Sequence, residues 1–382
     1  MQNFDYMTPT RLIFGEGVIA KLADVLKPLG NKVLLTYGGG NIKKMGLYDK
    51  VIELLKDFTV VELSGIQPNP KYDPSVLDGV RLCKENQVDV ILAVGGGSVL
   101  DCSKAIAAGA KYDGDPWDLI TYKVPTTAAL PIVDIMTLAA TGSEYDAGGV
   151  ISRTETNDKV GYVSPYLFPV ASFLDPTYTF SVSKKQTAAG CADAMNHTME
   201  QYFTADTTLL NDGICEANLR SLMENTKTIL ENPEDYRARA EFMLDCTYGC
   251  NGILALGWPC HGMEHALSAY YDITHGEGLA IITPRWMKHI LNDKTINRFV
   301  KYGVNVFGID KNQDKYEIAN QAIEATYKFF ESIGIPMNLK AVGIDESRID
   351  EMAYHVAENE GLENAYVSLT EEDIAAIFRA SL

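Results

Sequence analysis

The pattern of apolar residues changes near residue 180, and this change constrains the fold more than any other feature of the sequence. Before that point, short β-rich runs alternate with stretches of helical periodicity. This alternation is typical of βαβ units and predicts a mostly parallel sheet with helices on both faces. Beyond it, only long helical patterns follow. We therefore predict an α/β domain over residues 1–180 and an all-helical domain over residues 181–382.

The predicted elements follow from periodicity and turn signals. Strands are predicted over 32–37, 59–63, 89–94 and 130–136, with intervening helices over 43–56, 75–86 and 98–109. A hairpin is predicted over 150–154 and 159–163, around a polar turn. In the second half the predicted helices span 187–204, 211–230, 235–256, 260–270, 277–291, 313–333 and 371–380.

Charge and composition exclude several classes of partner. The chain of 382 residues carries a formal net charge of −18, so nucleic acids and anionic membranes would repel it, and a small-molecule substrate is favoured. The sequence contains neither a secretory signal pattern nor eighteen consecutive apolar residues, which predicts a cytoplasmic protein. Seven cysteines without CxxC spacing indicate reduced thiols.

Two of the predicted strands end in runs of glycine. The residues are Gly38, Gly39, Gly40 and Asn41 after one strand, and Gly95, Gly96, Gly97 and Ser98 after another. The second run passes directly into a predicted helix, where free amides and the positive helix end favour a phosphate. Neither run matches a Rossmann or P-loop motif, so a plain tight turn is the alternative for each.

A third segment, residues 137–144, follows another strand and is rich in hydroxyl groups. Its amides and hydroxyls suit a pyrophosphate, and a loop that caps a helix is the alternative. Three such turns at strand ends of one sheet favour a dinucleotide site more strongly than any one of them.

The helical half contains a cluster of metal-binding residue types. Asp193 and His197 are four residues apart, so they share one helix face. His261 and His265 are again one turn apart, and His275 follows. A carboxylate with imidazoles and no thiolate suits Fe(II) or Zn(II) and argues against a structural zinc site. The spacing of HGMEH does not match the HExxH motif of metalloproteases.

Four motifs in this order resemble the iron-containing (group III) alcohol dehydrogenases, and among them the butanol-dehydrogenase-like branch. The motifs are GGGSVLDCSK (95–104), TLAATGSEYD (137–146), AGCADAMNHTMEQYF (189–203) and HGMEHALSAYYDITHGEGLAIITP (261–284). The resemblance covers nearly the whole chain. It implies the dehydroquinate synthase-like fold of this family, in which an α/β dinucleotide-binding domain precedes an all-α metal-binding domain.

The resemblance also implies roles for individual residues. The implied metal ligands are Asp193, His197, His261 and His275, and His265 resembles the histidine beside the substrate. The implied cofactor-binding residues are Gly95, Gly96, Gly97, Ser98, Asp101, Thr137, Leu138, Thr141, Ser143 and Lys159. For Lys159, a solvent-exposed lysine on the hairpin is the alternative.

The expected reaction is hydride transfer between NADP(H) and a primary alcohol or aldehyde such as butanol or butanal. The metal would act as a Lewis acid on the substrate oxygen. His265 would pass a proton to solvent or orient a neighbouring group. The alternatives are a glycerol or other polyol dehydrogenase, or dehydroquinate synthase, of the same fold. A non-catalytic metal-binding protein of the ferritin kind is another alternative, but such a protein has Glu-x-x-His motifs on paired helices and no dinucleotide-binding half. A homodimer is expected by resemblance.

Two finer expectations concern cofactor and substrate. Enzymes that select NAD place a carboxylate near the adenosine ribose, and the segment Gly38–Gly39–Gly40–Asn41 contains none, which favours NADP(H) over NAD(H). Lys43 and Lys44 follow closely enough to add positive charge, or they face solvent. Apolar residues near the metal motif, Leu254, Leu256 and Trp258, favour small apolar aldehydes.

Overall fold

A computed structural model describes residues 5–252 and 257–382, which form two compact units. The first, here called the sheet unit, comprises Met7–Val182 and Pro233–Thr247. The second, the helical unit, comprises Ser183–Asn232 and the described part of Tyr248–Leu382, together with Asp5 and Tyr6. The chain thus returns to the sheet unit for one short segment after entering the helical unit. The predicted domain boundary at 180 stays a prediction.

The sheet unit contains all eight strands of the described residues. They are β1 (Arg11–Phe14), β2 (Lys32–Tyr37), β3 (Thr59–Leu63), β4 (Val90–Gly95), β5 (Ile132–Met136), β6 (Gly148–Arg153), β7 (Asp158–Val163) and β8 (Ala171–Leu174). Six form a parallel sheet in the order β1-β8-β5-β4-β2-β3, and β6 and β7 form an antiparallel hairpin. β4 is a continuous apolar run and β5 is apolar except for Asp134, and both strands are buried on both faces, as expected for central parallel strands.

Helices cover both faces of this sheet. They are α1 (Leu22–Leu26), α2 (Asn41–Lys44), α3 (Leu47–Leu54), α4 (Leu77–Asn86), α5 (Gly97–Gly109) and α6 (Pro116–Ile120). Side chains of α1, α2 and α3 pack with one apolar cluster, and side chains of α4, α5 and α6 pack with the other. Alternate residues of β2 and β4 enter the two clusters, so each strand contributes to both cores.

The remaining helices follow from residue 184 onwards. They are α7 (Lys184–Tyr202), α8 (Leu209–Glu231), α9 (Tyr236–Cys250), α10 (Pro259–Tyr271), α11 (His275–Ile290), α12 (Ile296–Phe307), α13 (Lys315–Ser332), α14 (Ile349–Asn359) and α15 (Glu371–Ala380). Most of α9 belongs to the sheet unit. In the helical unit α7 packs against α8 and α11, and α10 packs against α11 and α14. None of the helices in the described parts of the chain has the length and hydropathy that a membrane span needs.

The predicted fold class, a mostly parallel α/β sheet followed by a helical part, is confirmed, and several element bounds differ. The helix expected over 43–56 is two helices, α2 and α3, because the chain turns at Gly46, where φ is +73°. The helix expected over 235–256 ends at Cys250, and residues 253–256 lie outside the described residues. The strands β1 and β8 and the helices α1, α6, α12 and α14 were not predicted from periodicity.

Candidate metal centre and nucleotide turns

The three glycine- and hydroxyl-rich turns lie side by side at one edge of the sheet. They follow β2, β4 and β5, which are neighbouring parallel strands. The strands end in register, with Tyr37 opposite Val94 and Gly95 opposite Met136. Chain leaving β2 enters α2 and α3 on one face, whereas chain leaving β4 enters α5 on the other. Adjacent strands with connections on opposite faces create the crevice in which α/β folds bind nucleotides.

The second turn has little room for side chains at Gly96 and Gly97. A Cβ atom on Gly96 would lie 3.2 Å from the Cβ of Leu138, and one on Gly97 would lie 2.5 Å from the Oγ1 of Thr141. The second and third turns therefore pack directly against each other. Gly97 also begins α5, whose first amides have no acceptor within the helix. Backbone N–H groups without a partner in the helix therefore remain at this edge of the sheet. Such groups are the donors that bind an anion at a helix N-terminus.

A buried lysine, which no sequence pattern indicated, stabilises the third turn from inside. Lys104 is fully buried, and its Nζ donates to Ser143 Oγ at 2.9 Å and to Asp146 Oδ1 at 2.7 Å. Ser143 Oγ in turn donates to Asp101 Oδ1 at 2.7 Å, and the backbone N–H of Val150 donates to Asp101 Oδ2 at 3.0 Å. The side chains of Asp101 and Ser143 thus hold the turn in shape, and their direct contact with a cofactor stays a prediction.

The other predicted cofactor residues occupy different environments. Thr137 is buried, whereas Leu138 and Thr141 are partly exposed in the third turn. Asn41 is exposed at the start of α2. Lys159 on β7 is only 6% exposed, so the alternative of a solvent-exposed hairpin lysine is wrong.

In the helical unit, three helices bring the predicted metal residues together. Asp193 and His197 lie on α7, His261 on α10, and His275 is the first residue of α11. Asp193, His261 and His275 each offer a ligand atom, and these atoms lie within 4.8 Å of one another. His197 lies beside this group, with its ring stacked on that of His261 at a centroid distance of 4.4 Å.

The distances and the unsatisfied atoms fit a divalent transition metal. Asp193 Oδ1 lies 3.6 Å from His197 Nδ1, 3.7 Å from His261 Nε2 and 3.7 Å from His275 Nε2. Metal–ligand bonds of about 2.0–2.2 Å place neighbouring ligands of a tetrahedral ion about 3.3–3.6 Å apart. Asp193 Oδ1, His197 Nδ1 and His261 Nε2 are buried without a hydrogen-bond partner. Such atoms are costly unless an ion satisfies them.

The protonation states of two predicted ligands suit a metal site. Burial raises the pKa of Asp193, but His197, His261 and His275 outweigh this effect and hold its pKa well below the usual value. Its carboxylate is therefore ionised. Burial lowers the pKa of His197 to about 3, so its imidazole is neutral. Burial also lowers the pKa of His261, but the carboxylates of Glu200 and Asp193 outweigh it and raise this pKa to about 9. A metal at His261 therefore competes with a proton.

Three glutamates that the sequence analysis did not assign contact these histidines. Glu200 on α7 contacts His261 Nδ1, and Glu264 on α10 contacts His275 Nδ1. Glu360, next to the end of α14, lies 3.2 Å from His265 Nδ1. The spacing of Glu200 and Glu264, three residues after His197 and His261 respectively, was the available signal. Acidic residues at that spacing are common on exposed helix faces, so the signal alone is weak.

The remaining histidines and the cysteines have structural environments. His289 Nε2 lies 2.9 Å from Asp373 Oδ1, and the ring of His355 packs edge-on against Tyr270. None of the seven cysteines forms a disulfide bond, and both Cys191 and Cys260, which neighbour predicted ligands, are fully buried. Their burial fits a role of both thiols in packing.

The two halves of the chain both match one enzyme family. Residues 9–176 match the family described as iron-containing alcohol dehydrogenase, and residues 187–382 match the C-terminal part of the Fe-containing alcohol dehydrogenase family. The chain therefore belongs to the iron-containing alcohol dehydrogenase family, which confirms the resemblance.

Individual relatives match over nearly the full length. The chain is 49% identical to NADH-dependent butanol dehydrogenase A of Clostridium acetobutylicum, over 100% of both proteins. It is 40% identical to NADPH-dependent aldehyde reductase YqhD of Escherichia coli, over 91% of both. The crystal structure of NADH-dependent butanol dehydrogenase A from Thermotoga maritima has a TM-score of 0.96 at 38% identity, covering 100% of this chain and 99% of that one. By reaction class the protein is an alcohol dehydrogenase or aldehyde reductase, and its family implies a metal and a nicotinamide cofactor.

Proposed function

We propose that this enzyme interconverts small apolar aldehydes and primary alcohols, with NADP(H) preferred over NAD(H) and one Fe(II) or Zn(II) ion. The observation that carries the proposal is the convergence of Asp193, His261 and His275, because their donor atoms meet at the spacing of metal ligands. Relatives named butanol dehydrogenase and aldehyde reductase support the substrate class. We also propose that the enzyme is cytoplasmic and that it forms a homodimer. Sedimentation analysis tests the homodimer.

In this proposal, four residues hold the metal: Asp193, His197, His261 and His275. A divalent ion at this position supplies Lewis-acid polarisation of the substrate oxygen, while the nicotinamide cofactor supplies or accepts the hydride. The chain itself supplies the ionised carboxylate and the imidazoles. It also supplies the enclosure, since three of these ligands are less than 10% exposed.

His265 is proposed to carry the proton between the substrate and water. It lies one helical turn after His261 on α10. Its ring is stacked on that of His275, with the two ring centroids 6.1 Å apart. Its Nδ1 faces Glu360 Oε1 at 3.2 Å, and the Glu360 side chain is 22% exposed against 11% for His265. Glu360 is thus more exposed than His265, and the two side chains form a route for a proton from the buried imidazole towards solvent. A histidine next to a carboxylate suits proton transfer near neutral pH.

Replacing His265 by alanine is expected to lower kcat by about 100-fold and to leave the metal content unchanged, because positioned acid–base groups contribute about 10²–10⁴-fold. Elemental analysis and steady-state kinetics on the same preparation test both parts. Glu360→Gln should lower kcat less, since the imidazole is still present. If His265→Ala loses the metal, His265 is a ligand and the proton-transfer assignment is wrong.

An apolar ring beside the metal residues supports the apolar substrate. Trp258 packs edge-on against His197 at a centroid distance of 5.7 Å and against His261 at 5.3 Å. Leu254 and Leu256, which contributed to the same prediction, lie outside the described residues. Trp258 is partly exposed and places aromatic surface, rather than hydroxyl or amide groups, next to the ligand cluster.

Apolar aldehydes of about three to six carbons are expected to be reduced with a higher kcat/KM than polyol-derived carbonyl compounds, because an apolar pocket leaves substrate hydroxyls unpaired. A panel of propanal, butanal, hexanal, 3-hydroxypropanal and dihydroxyacetone, followed at the reduced-nicotinamide absorbance, measures this order. The second candidate is a diol dehydrogenase, since 1,3-propanediol dehydrogenase of Klebsiella pneumoniae is 30% identical over 98% of both proteins. A preference for 3-hydroxypropanal over butanal would favour that candidate.

The proposed preference for NADP(H) rests on the turn after β2. Lys43 lies over the rings of Tyr37 and Tyr48, at 5.1 Å and 4.4 Å from their centroids, so its ammonium is held close to this turn. The nearby carboxylate of Glu62 accepts hydrogen bonds from both tyrosine hydroxyls, each at 2.7 Å. The proposed preference therefore requires that Lys43 and the backbone amides of the turn outweigh the negative charge of Glu62 at a bound phosphate. The named relatives include both NADH- and NADPH-dependent enzymes.

A further inference from the structure

Two of the predicted metal-binding histidines are each contacted by a buried glutamate. Glu200 Oε2 faces His261 Nδ1, and Glu264 Oε2 faces His275 Nδ1. The Glu200 side chain is 1% exposed and the Glu264 side chain is fully buried. Buried carboxylates are rare in proteins unless they are paired. These two are paired with imidazoles that have a second ring nitrogen on the metal side.

The contacts connect three helices in sequence. Glu200 on α7 reaches a histidine of α10, and Glu264 on α10 reaches a histidine of α11. Glu200 lies seven residues after Asp193, so both project from the same face of α7. Two of the three helices, α7 and α10, therefore each supply a carboxylate that orients an imidazole on another helix.

Both glutamates are themselves held in place. The other oxygen of Glu200 accepts a hydrogen bond from the backbone N–H of Cys260 at 2.6 Å. The other oxygen of Glu264 accepts from the hydroxyl of Ser268. A Cβ on Gly278 would lie 2.8 Å from Glu264 Cγ, so this glycine leaves room for the side chain. With one oxygen fixed by a donor, the remaining oxygen is aimed at the histidine.

The chemical consequence concerns the tautomer. A carboxylate that accepts from Nδ1–H leaves the lone pair of a neutral imidazole on Nε2. In both histidines Nε2 is the nitrogen that faces Asp193 Oδ1, at 3.7 Å. His261 Nε2 is buried and has no hydrogen-bond partner. The carboxylates therefore orient both rings and increase the basicity of the nitrogens that point towards the proposed metal.

We propose that Glu200 and Glu264 are positioning residues that determine how tightly the divalent metal is held. The proposal rests on the proposed ligand set. It predicts that Glu200→Gln and Glu264→Gln each bind Zn²⁺ about 10–100-fold more weakly than the wild type, because outer partners of ligating histidines contribute to affinity by that factor. Glutamine preserves the size of the side chain and removes its charge.

The experiment measures Zn²⁺ affinity of the full chain by competition with a chromophoric chelator. A second readout is the visible absorption spectrum of the Co²⁺-loaded protein, which reports the ligand geometry and should shift in both variants. Glu216→Gln is the matched control, because Glu216 is also a buried glutamate of the helical unit, but it accepts from Tyr202 and Asn305 instead of a histidine. Its Zn²⁺ affinity and Co²⁺ spectrum should equal those of the wild type.

The outcomes separate this inference from the proposed metal site. If His261→Ala binds Zn²⁺ as tightly as the wild type, the ligand set itself is wrong. If His261→Ala loses Zn²⁺ while Glu200→Gln and Glu264→Gln retain wild-type affinity and spectrum, only the positioning role is overturned. Equal weakening in Glu216→Gln would also overturn it, since the effect would then be general. Where a glutamine variant does not fold, Glu200→Asp or Glu264→Asp, which withdraws the carboxylate from the imidazole, must bind Zn²⁺ more weakly.

Discussion

Replacing Asp193 by alanine is expected to lower kcat/KM for aldehyde reduction by more than about 1,000-fold and to remove most of the bound metal. The size follows because Lewis-acid stabilisation is worth several kcal/mol, and each 1.36 kcal/mol changes a rate about tenfold. Asp193 is the residue from which the distances to all three histidines are 3.6–3.7 Å. Its loss also removes the carboxylate that faces the imidazoles of all three histidines.

NADPH binding by the Asp193→Ala variant should stay close to that of the wild type. The reason is that the nucleotide turns belong to the sheet unit, whereas Asp193 belongs to the helical unit. Titration of NADPH fluorescence and elemental analysis test the two parts separately. His261→Ala and His275→Ala should behave in the same way. The matched control is His289→Ala, which removes a histidine of α11 that pairs with Asp373 and should change neither metal content nor rate. Full metal content and full activity in Asp193→Ala would refute the ligand assignment.

Residue patterns within single segments of the sequence predicted those parts of the site that one strand, turn or helix forms by itself. The glycine runs after two strands were informative because a strand, a bare turn and a helix are contiguous in the chain. Asp193 and His197 share a helix face for the same local reason, and His261 and His265 lie one turn apart on α10. The structure brings Asp193 together with His261 and His275, as the combination of residue types suggested.

Features that depend on distant contacts were not predictable in this way. Strand β1 has four residues, and its partner β8 lies about 160 positions further along the chain, so neither has a periodic signal of its own. In the sequence, Lys104 cannot be distinguished from a solvent-exposed lysine on a helix. In the structure, its ammonium group is buried and enclosed by the third turn. Glu200 and Glu264 likewise reveal their role only when α7, α10 and α11 pack together. The missing information in each case is tertiary packing.

The structure adds a steric argument about the cofactor that composition alone did not supply. Among the glycines of the turn after β2, Gly40 has φ of +98°, and a Cβ on Gly38 would lie 3.2 Å from the carbonyl oxygen of Ile66. A side chain at either position would disturb the turn. Gly39 has neither restriction, because nothing lies within 4 Å of an added Cβ and its φ is not positive. It is therefore the position at which charge can be changed with least effect on the backbone.

Replacing Gly39 by aspartate is expected to shift the ratio of kcat/KM for NADPH to that for NADH by about 30-fold towards NADH. A carboxylate beside a 2′-phosphate costs about 2 kcal/mol at an exposed site, and about 1.4 kcal/mol corresponds to tenfold. Gly39→Asn is the matched control, because it has the same size without the charge and should leave the ratio nearly unchanged. Since Gly39 is exposed, the shift should shrink as salt is raised from about 0.05 to 0.5 M. Kinetics with butanal and both cofactors measure these ratios. A wild type that favours NADH, or an aspartate variant whose ratio equals that of the asparagine variant, would show that the turn after β2 does not select the cofactor.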